Sequence, residues 1–146
     1  MSVDTVVAEM VARLESEHGI LLVNEAKVRS GEFPFPGVKS IKAALEQDDS
    51  LALQTVVLMN HLQTEFEQQV RDTKDKNRVG FMSSQAKNGT RLAEMMTLGA
   101  ILEDKDRELA LKIGRTYSKQ VSVQLRRYAL VLNPLLSGLA AVFSAA

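Results

Sequence analysis

The hydrophobic pattern is clearest in the last third of the chain. Leu109, Ile113, Tyr117, Val121, Leu125, Tyr128 and Leu132 recur at steps of three or four residues. That spacing keeps apolar side chains on one slowly drifting face of an α-helix. Glu103, Asp104, Asp106 and Glu108 crowd the beginning of the run and Arg126 and Arg127 its end, each sign where the helix dipole favours it. Pro134 pushes the residue before it out of the α region. The pattern therefore predicts one long helix over about 104–132.

Upstream, Val3, Val7, Met10 and Leu14, widened by Val6 and Val11, predict a first helix that Ser2 or Asp4 caps and Gly19 stops. Ile20–Val23 is an apolar run that suits a strand or a helix. The polar residues after it favour a second helix ending near Ser30 and Gly31. Ser40–Leu45 predicts a short helix. Asp48, Asp49 or Ser50 then caps a long one over about 51–76, with Leu51, Leu58, Met59, Leu62, Phe66 and Val70 on its apolar face. Its second half, EFEQQVRDTKDKNR, is mostly polar and is expected to leave the core. Residues 77–89 read as a loop or irregular segment, or one that is helical in part, with Asn88-Gly89 as a turn. Thr90 then caps a helix carrying Leu92, Met95, Met96, Leu98, Ile101 and Leu102, which meets the final helix near Glu103 and Asp104. With no partner strand in sight, the fold expected is an all-α bundle of about four to six helices. Two of them are long, a short apolar helix follows Pro134, and residues 1–146 form one domain.

Composition narrows the function more than the fold. Eighteen basic and eighteen acidic residues cancel, so a protein that coats nucleic acid by bulk charge is excluded and any such role must rest on a local stripe. The absence of cysteine removes disulfides and thiolate metal sites. The N-terminus places acids among its apolar positions and lacks the layout of a cleaved secretory signal. A cytoplasmic protein, or one exported by a signal-independent route, is the expectation.

Three features carry candidate binding chemistry. Lys105, Lys112, Lys119 and Arg126 follow one another at intervals of seven, nearly two helical turns, and would form one basic stripe opposite the apolar seam. It reads as a solvated face, or else as a surface for a polyanion or a protein partner. Residues 32–37, EFPFPG, hold an extended backbone and present Phe33 and Phe35 either as core plugs or as a docking loop. From Tyr128 to Ala146 no side chain is charged. Leu135, Leu136, Leu139, Val142 and Phe143 in this tail are candidates for a subunit interface. Packing within the subunit and anchorage in a membrane are the alternatives, and Ser137-Gly138 interrupts the run a membrane span would need.

Catalytic and metal chemistry find little support. Glu15 and His18 match half of a carboxylate-bridged di-metal motif, but such a centre needs a second Glu-x-x-His pair. The other histidine, His61, has Leu58 where the glutamate should be. His61 and Glu65 stand one turn apart, the geometry of an ordinary surface contact. No phosphate-binding glycine loop or nucleophile elbow is present, and no cofactor is expected. The sequence thus points to a non-enzymatic helical protein that self-associates as a structural subunit or holds another protein as an adaptor or chaperone. A nucleic-acid-binding structural protein using the basic stripe is the alternative, and a membrane-associated one the next.

Overall fold

The computed structural model describes residues 2–69 and 80–133, and every regular element among them is helical. Helix α1 spans Val3–His18, α2 Glu25–Ser30, α3 Val38–Gln47, α4 Asp49–Gln69 and α5 Ala86–Thr97. Helix α6, Asp104–Gly114, runs through a 3-10 turn at Arg115–Tyr117 into α7, Ser118–Leu132. The expected all-α bundle is what the chain forms.

Local signals set most boundaries. The Ser2 hydroxyl accepts the Thr5 N–H at the start of α1, and Gly19 ends the helix in the left-handed region at φ 63°. Ile20–Val23 joins no helix. Asn24 starts α2 instead, its side chain accepting the Lys27 N–H, while its own N–H donates to the Pro34 carbonyl at 2.8 Å. That bond draws the Phe-Pro connector alongside α2.

The core is mainly aliphatic. Val3, Val6, Val7, Met10 and Leu14 from α1 meet Ile41 and Leu45 from α3 and Leu51, Val56, Leu58, Met59 and Leu62 from α4. Leu92, Ile113, Tyr117, Val121 and Leu125 close the cluster. Helix α4 is the hub, lying against α1, α3, α5 and α6.

The run over 104–132 is helical but not a single rod. At Tyr117 the backbone leaves the α region (φ −105°, ψ 29°) and returns at Ser118. Thr116 bonds back to the Lys112 carbonyl at 3.0 Å, a contact that bends helices. The bend divides the run between neighbours. Helix α6 lies mainly on α4, and α7 on α3 and α1. Gly114 permits the first contact, since a Cβ there would fall 2.7 Å from the carbonyl carbon of Ala52 and nearer still to its oxygen. Tyr117 anchors the joint from inside. Its hydroxyl accepts the Met82 N–H at 3.0 Å and donates to Gln85. Burial pushes its pKa up, partly offset by the Met82 bond.

The segment expected as a turn at Asn88-Gly89 is the first part of α5. Gly89 is there for space, not for a turn: a Cβ would sit 2.6 Å from the Phe81 ring, which packs edge-on to Tyr117. Helix α5 ends in a Schellman cap. Gly99 (φ 79°) donates to the Met96 carbonyl and Ala100 to that of Met95, each at 3.0 Å. The expected apolar face holds at Leu92, Met96 and Leu102, which are in or against the core, and fails where the cap turns the chain outward. Leu98 and Ile101 are 86% and 93% exposed rather than packed.

Candidate interaction surfaces

Two polar joints and two apolar clefts are the features with functional potential. The first joint lies between α3 and α4. Asp48 is buried, and its carboxylate accepts Arg13 Nε at 2.6 Å, His18 Nε2 at 2.9 Å and the backbone N–H groups of Ser50 and Leu51. Burial alone would raise its pKa. The bonds from Arg13, His18 and the Leu51 N–H outweigh that and hold it below the usual carboxylate value. Next to it, Asp49 bridges Arg107 at 2.9 Å and Arg115 at 2.8 Å. Arg115 also donates to the Leu45 carbonyl.

A polar recess of about 510 Å³ opens here, between Arg13, Glu17, His18, Gln47 and Ser50. Chemically it is a helix cap with its charges matched. The Asp48 carboxylate accepts four hydrogen bonds from the chain itself, so its lone pairs are committed to tying α1 to the start of α4. His18 faces Asp48 and Glu15 points to solvent. Among the described residues no three His, Cys, Asp or Glu side chains converge as a metal site would require.

The larger apolar cleft, about 410 Å³, lies between α2 and the end of α7. Leu22, Val23, Val28, Ala129 and Leu132 line it, with Glu25 and Arg29 at its edge. It adjoins Asn133, after which the uncharged tail continues. Leu135, Leu136, Leu139, Val142 and Phe143, the candidate subunit interface, lie outside the described residues. Among the described residues no helix is long and apolar enough to cross a membrane.

The second cleft, about 210 Å³, unites two features that the sequence left apart. Its apolar wall is Phe33, Pro36, Val38 and Val123, and its rim carries Lys119 and Arg126. The two phenylalanines of the connector have separate roles. Phe35 is 5% exposed and packs on Ala129 among Leu22, Val23 and Val28. Phe33 is 38% exposed and faces the cleft, its ring edge-on to Phe35 at 5.5 Å. The Ser122 hydroxyl, buried in the same wall, has no hydrogen-bond partner among the described residues.

The basic stripe is thereby divided. Lys105 and Lys112 are exposed on α6, while Lys119 and Arg126 border the cleft on α7. The three-residue 3-10 turn between them advances each residue by about 120° instead of 100°, a rotation of roughly 60° that takes the seven-residue spacing off its line. Among the described residues both pairs of cations are free of ion pairs, whereas Arg13, Arg91, Arg107, Arg115 and Arg127 each hold an aspartate.

Helical-face counting missed Leu98 and Ile101, and Gly99 between them is the stop signal that could have found them. Their turn is braced at its base. Arg91 on α5 forks onto Asp106 on α6 with bonds of 3.2 and 3.0 Å, and this bond to Arg91 holds the Asp106 carboxyl below its ordinary pKa against the effect of desolvation. Compared with protein-family models, curated proteins and solved structures, the chain matches none.

Proposed function

We propose that this chain is a non-enzymatic helical interaction protein, acting through association with further copies of itself as a structural subunit. The observation that carries the reading is the Leu98–Ile101 turn. Two large aliphatic side chains stand almost wholly in solvent on a braced turn, adjoining a bundle whose aliphatic core is filled without them. Scattered exposed leucines need no explanation. A pair at one tip, opposite in character to the charged helices beside it, forms a small apolar patch with a polar rim, the layout of a protein contact. The apolar clefts beside α7 and the uncharged tail after Asn133 support the same reading.

The test is the mass of the full chain in solution over a wide range of concentration. A mass that rises with concentration is expected, and a monomer throughout would end the self-association reading. A partner of a different sequence, as for an adaptor or chaperone, would then be sought. The nucleic-acid alternative has its own measurement. Binding of RNA or DNA at low salt that weakens in a Lys112→Gln, Lys119→Gln variant, with a salt slope lower by about one unit per lost phosphate contact, would replace the present reading.

A further inference from the structure

Resting on the self-association reading, we infer that copies join head to tail, the Leu98–Ile101 turn of one copy entering the Phe33–Val38–Val123 cleft of the next. The occupant is a second copy of this chain, and three observations select it.

The first is shape. The cleft, about 210 Å³, holds less than one turn of a helix, which at about 5.4 Å long and about 10–12 Å across fills roughly 400–600 Å³. It is open to protruding aliphatic side chains, and Leu98 and Ile101 are the most exposed large hydrophobic residues described.

The second is charge. Glu94, Glu103 and Asp104 are exposed around the turn with no ion pair among the described residues, against a single cation, Lys105. The cleft carries Lys119 and Arg126, also without ion pairs there, and the first turn of α3 beside them has no side-chain cap. Lys39 and Lys42 follow on that helix. An apolar centre with carboxylates on one face and cations on the other is complementary in the sense that steers docking and fixes its orientation. The larger cleft between α2 and α7 carries one acid and one base, Glu25 and Arg29, and offers no such match.

The third is rigidity. The Schellman cap and the Arg91–Asp106 fork hold the turn in place before it binds, so little ordering remains to be done on association.

The turn and the cleft belong to different parts of the bundle: α5 and α6 carry one, the connector, α3 and α7 the other. A contact between two unlike surfaces is heterologous, and each added copy presents a fresh cleft or a fresh turn. Because the contact is small, growth is weak and depends on concentration.

The experiment uses two variants of the full chain. One carries Leu98→Asp with Ile101→Asp, the other Lys119→Glu with Val123→Asp. All four positions are exposed, so helical content and thermal unfolding should match the unaltered chain. Sedimentation velocity at low salt should show the unaltered chain growing past the dimer as concentration rises. Each variant alone should associate at least about tenfold more weakly. Mixed together, they should form a one-to-one dimer and nothing larger, since the mixture holds one intact turn and one intact cleft per pair. Raising the salt to about 0.5 M should weaken growth of the unaltered chain, because exposed charges are screened within a few ångströms.

Growth that is unchanged in both variants overturns the docking pair and leaves the self-association reading standing. Loss of growth in the cleft variant alone also overturns it, because another segment then fills the cleft. A chain that stops at a dimer overturns the head-to-tail arrangement. A monomer at every concentration overturns both this inference and the reading beneath it.

Discussion

Gly114 offers a direct measurement of how closely α6 lies on α4. Its backbone is ordinary right-handed helix, φ −57° and ψ −40°, so alanine is locally welcome and intrinsic propensity alone predicts a gain of about 1 kcal/mol. Packing predicts the opposite. The new Cβ would stand 2.7 Å from the carbonyl carbon of Ala52 and 3.1 Å from its Cα, where ordinary contact begins at 3.4 Å. The obstacle is backbone in the first turn of α4 and has no rotamer to change, so α6 must retreat by on the order of 1 Å. A gap of that size forfeits about a quarter to a half of each affected contact, and α6 contributes Ala110 and Ile113 to the core. Overpacking costs about 1–3 kcal/mol as a rule, and an immovable obstacle belongs at the upper end. Net of propensity, Gly114→Ala should lose about 2 kcal/mol in urea unfolding followed by circular dichroism. Gly89→Ala is the control, because what it meets is the edge of the Phe81 ring, which can move. Its loss should be the smaller. A Gly114→Ala protein as stable as the original, or more so, would show that the two helices are not in this contact.

Leu62→Ala and Ile113→Ala, both at buried positions, should each cost about 2–5 kcal/mol by the same assay, and losses below about 1 kcal/mol at both would mean the core is wrongly drawn. Asp48→Asn should cost about 2 kcal/mol at neutral pH, from the α4 cap and the bonds to Arg13 and His18. Because the folded pKa of Asp48 is depressed, its contribution is complete above the unfolded value near 3.8 and disappears as pH falls through the lower folded value. The asparagine variant should therefore show a shallower loss of stability below about pH 4, and equally steep acid limbs would contradict the assignment. Removing Leu135–Ala146, which belongs to neither the turn nor the cleft, should leave helical content and cooperative unfolding in place, and a lower mass at high concentration would give this segment a subunit contact of its own. Loss of cooperative unfolding would put the segment in the subunit's own core.

Much of the architecture was legible because periodicity and capping agree. In α1, the apolar positions, Ser2 and Gly19 all point to the same boundaries, and the helix forms between them. The seam from Ile113 to Leu125 was legible for the same reason, and Ile113, Tyr117, Val121 and Leu125 are buried as the spacing requires. Periodicity is blind to a bend that keeps one side inward. The 3-10 turn at 115–117 preserves the burial of Tyr117 while rotating the whole of α7 about the axis, so the seam read as one helix. The lysines and Arg126, whose alignment depended on a straight axis, were divided between two.

The glycines mark where periodicity failed and why the cleft and the turn were not seen as partners. Gly89 beside Asn88 has the local chemistry of a turn, yet it lies inside α5 because the Phe81 ring occupies the space of its side chain. Gly99 is the opposite case. It stands within an apolar run whose spacing suits a helix, yet it adopts φ 79° and ends one. A glycine is needed for a left-handed backbone in one case and for an approaching neighbour in the other, and only the neighbour distinguishes them. Gly99 accounts for the exposure of the turn, since a chain leaving the helix through the left-handed region breaks the spacing that would bring Ile101 to the core face, and Leu102 is the first to pack there again. The Phe33 cleft depends likewise on a distant bond. The Asn24 N–H reaches the Pro34 carbonyl, buries Phe35, and leaves the ring two residues earlier at the surface beside Lys119 and Arg126. Spacing along the chain identifies faces; which residue on a face is spent on the core and which is left for a partner is decided by contacts ten or more residues away.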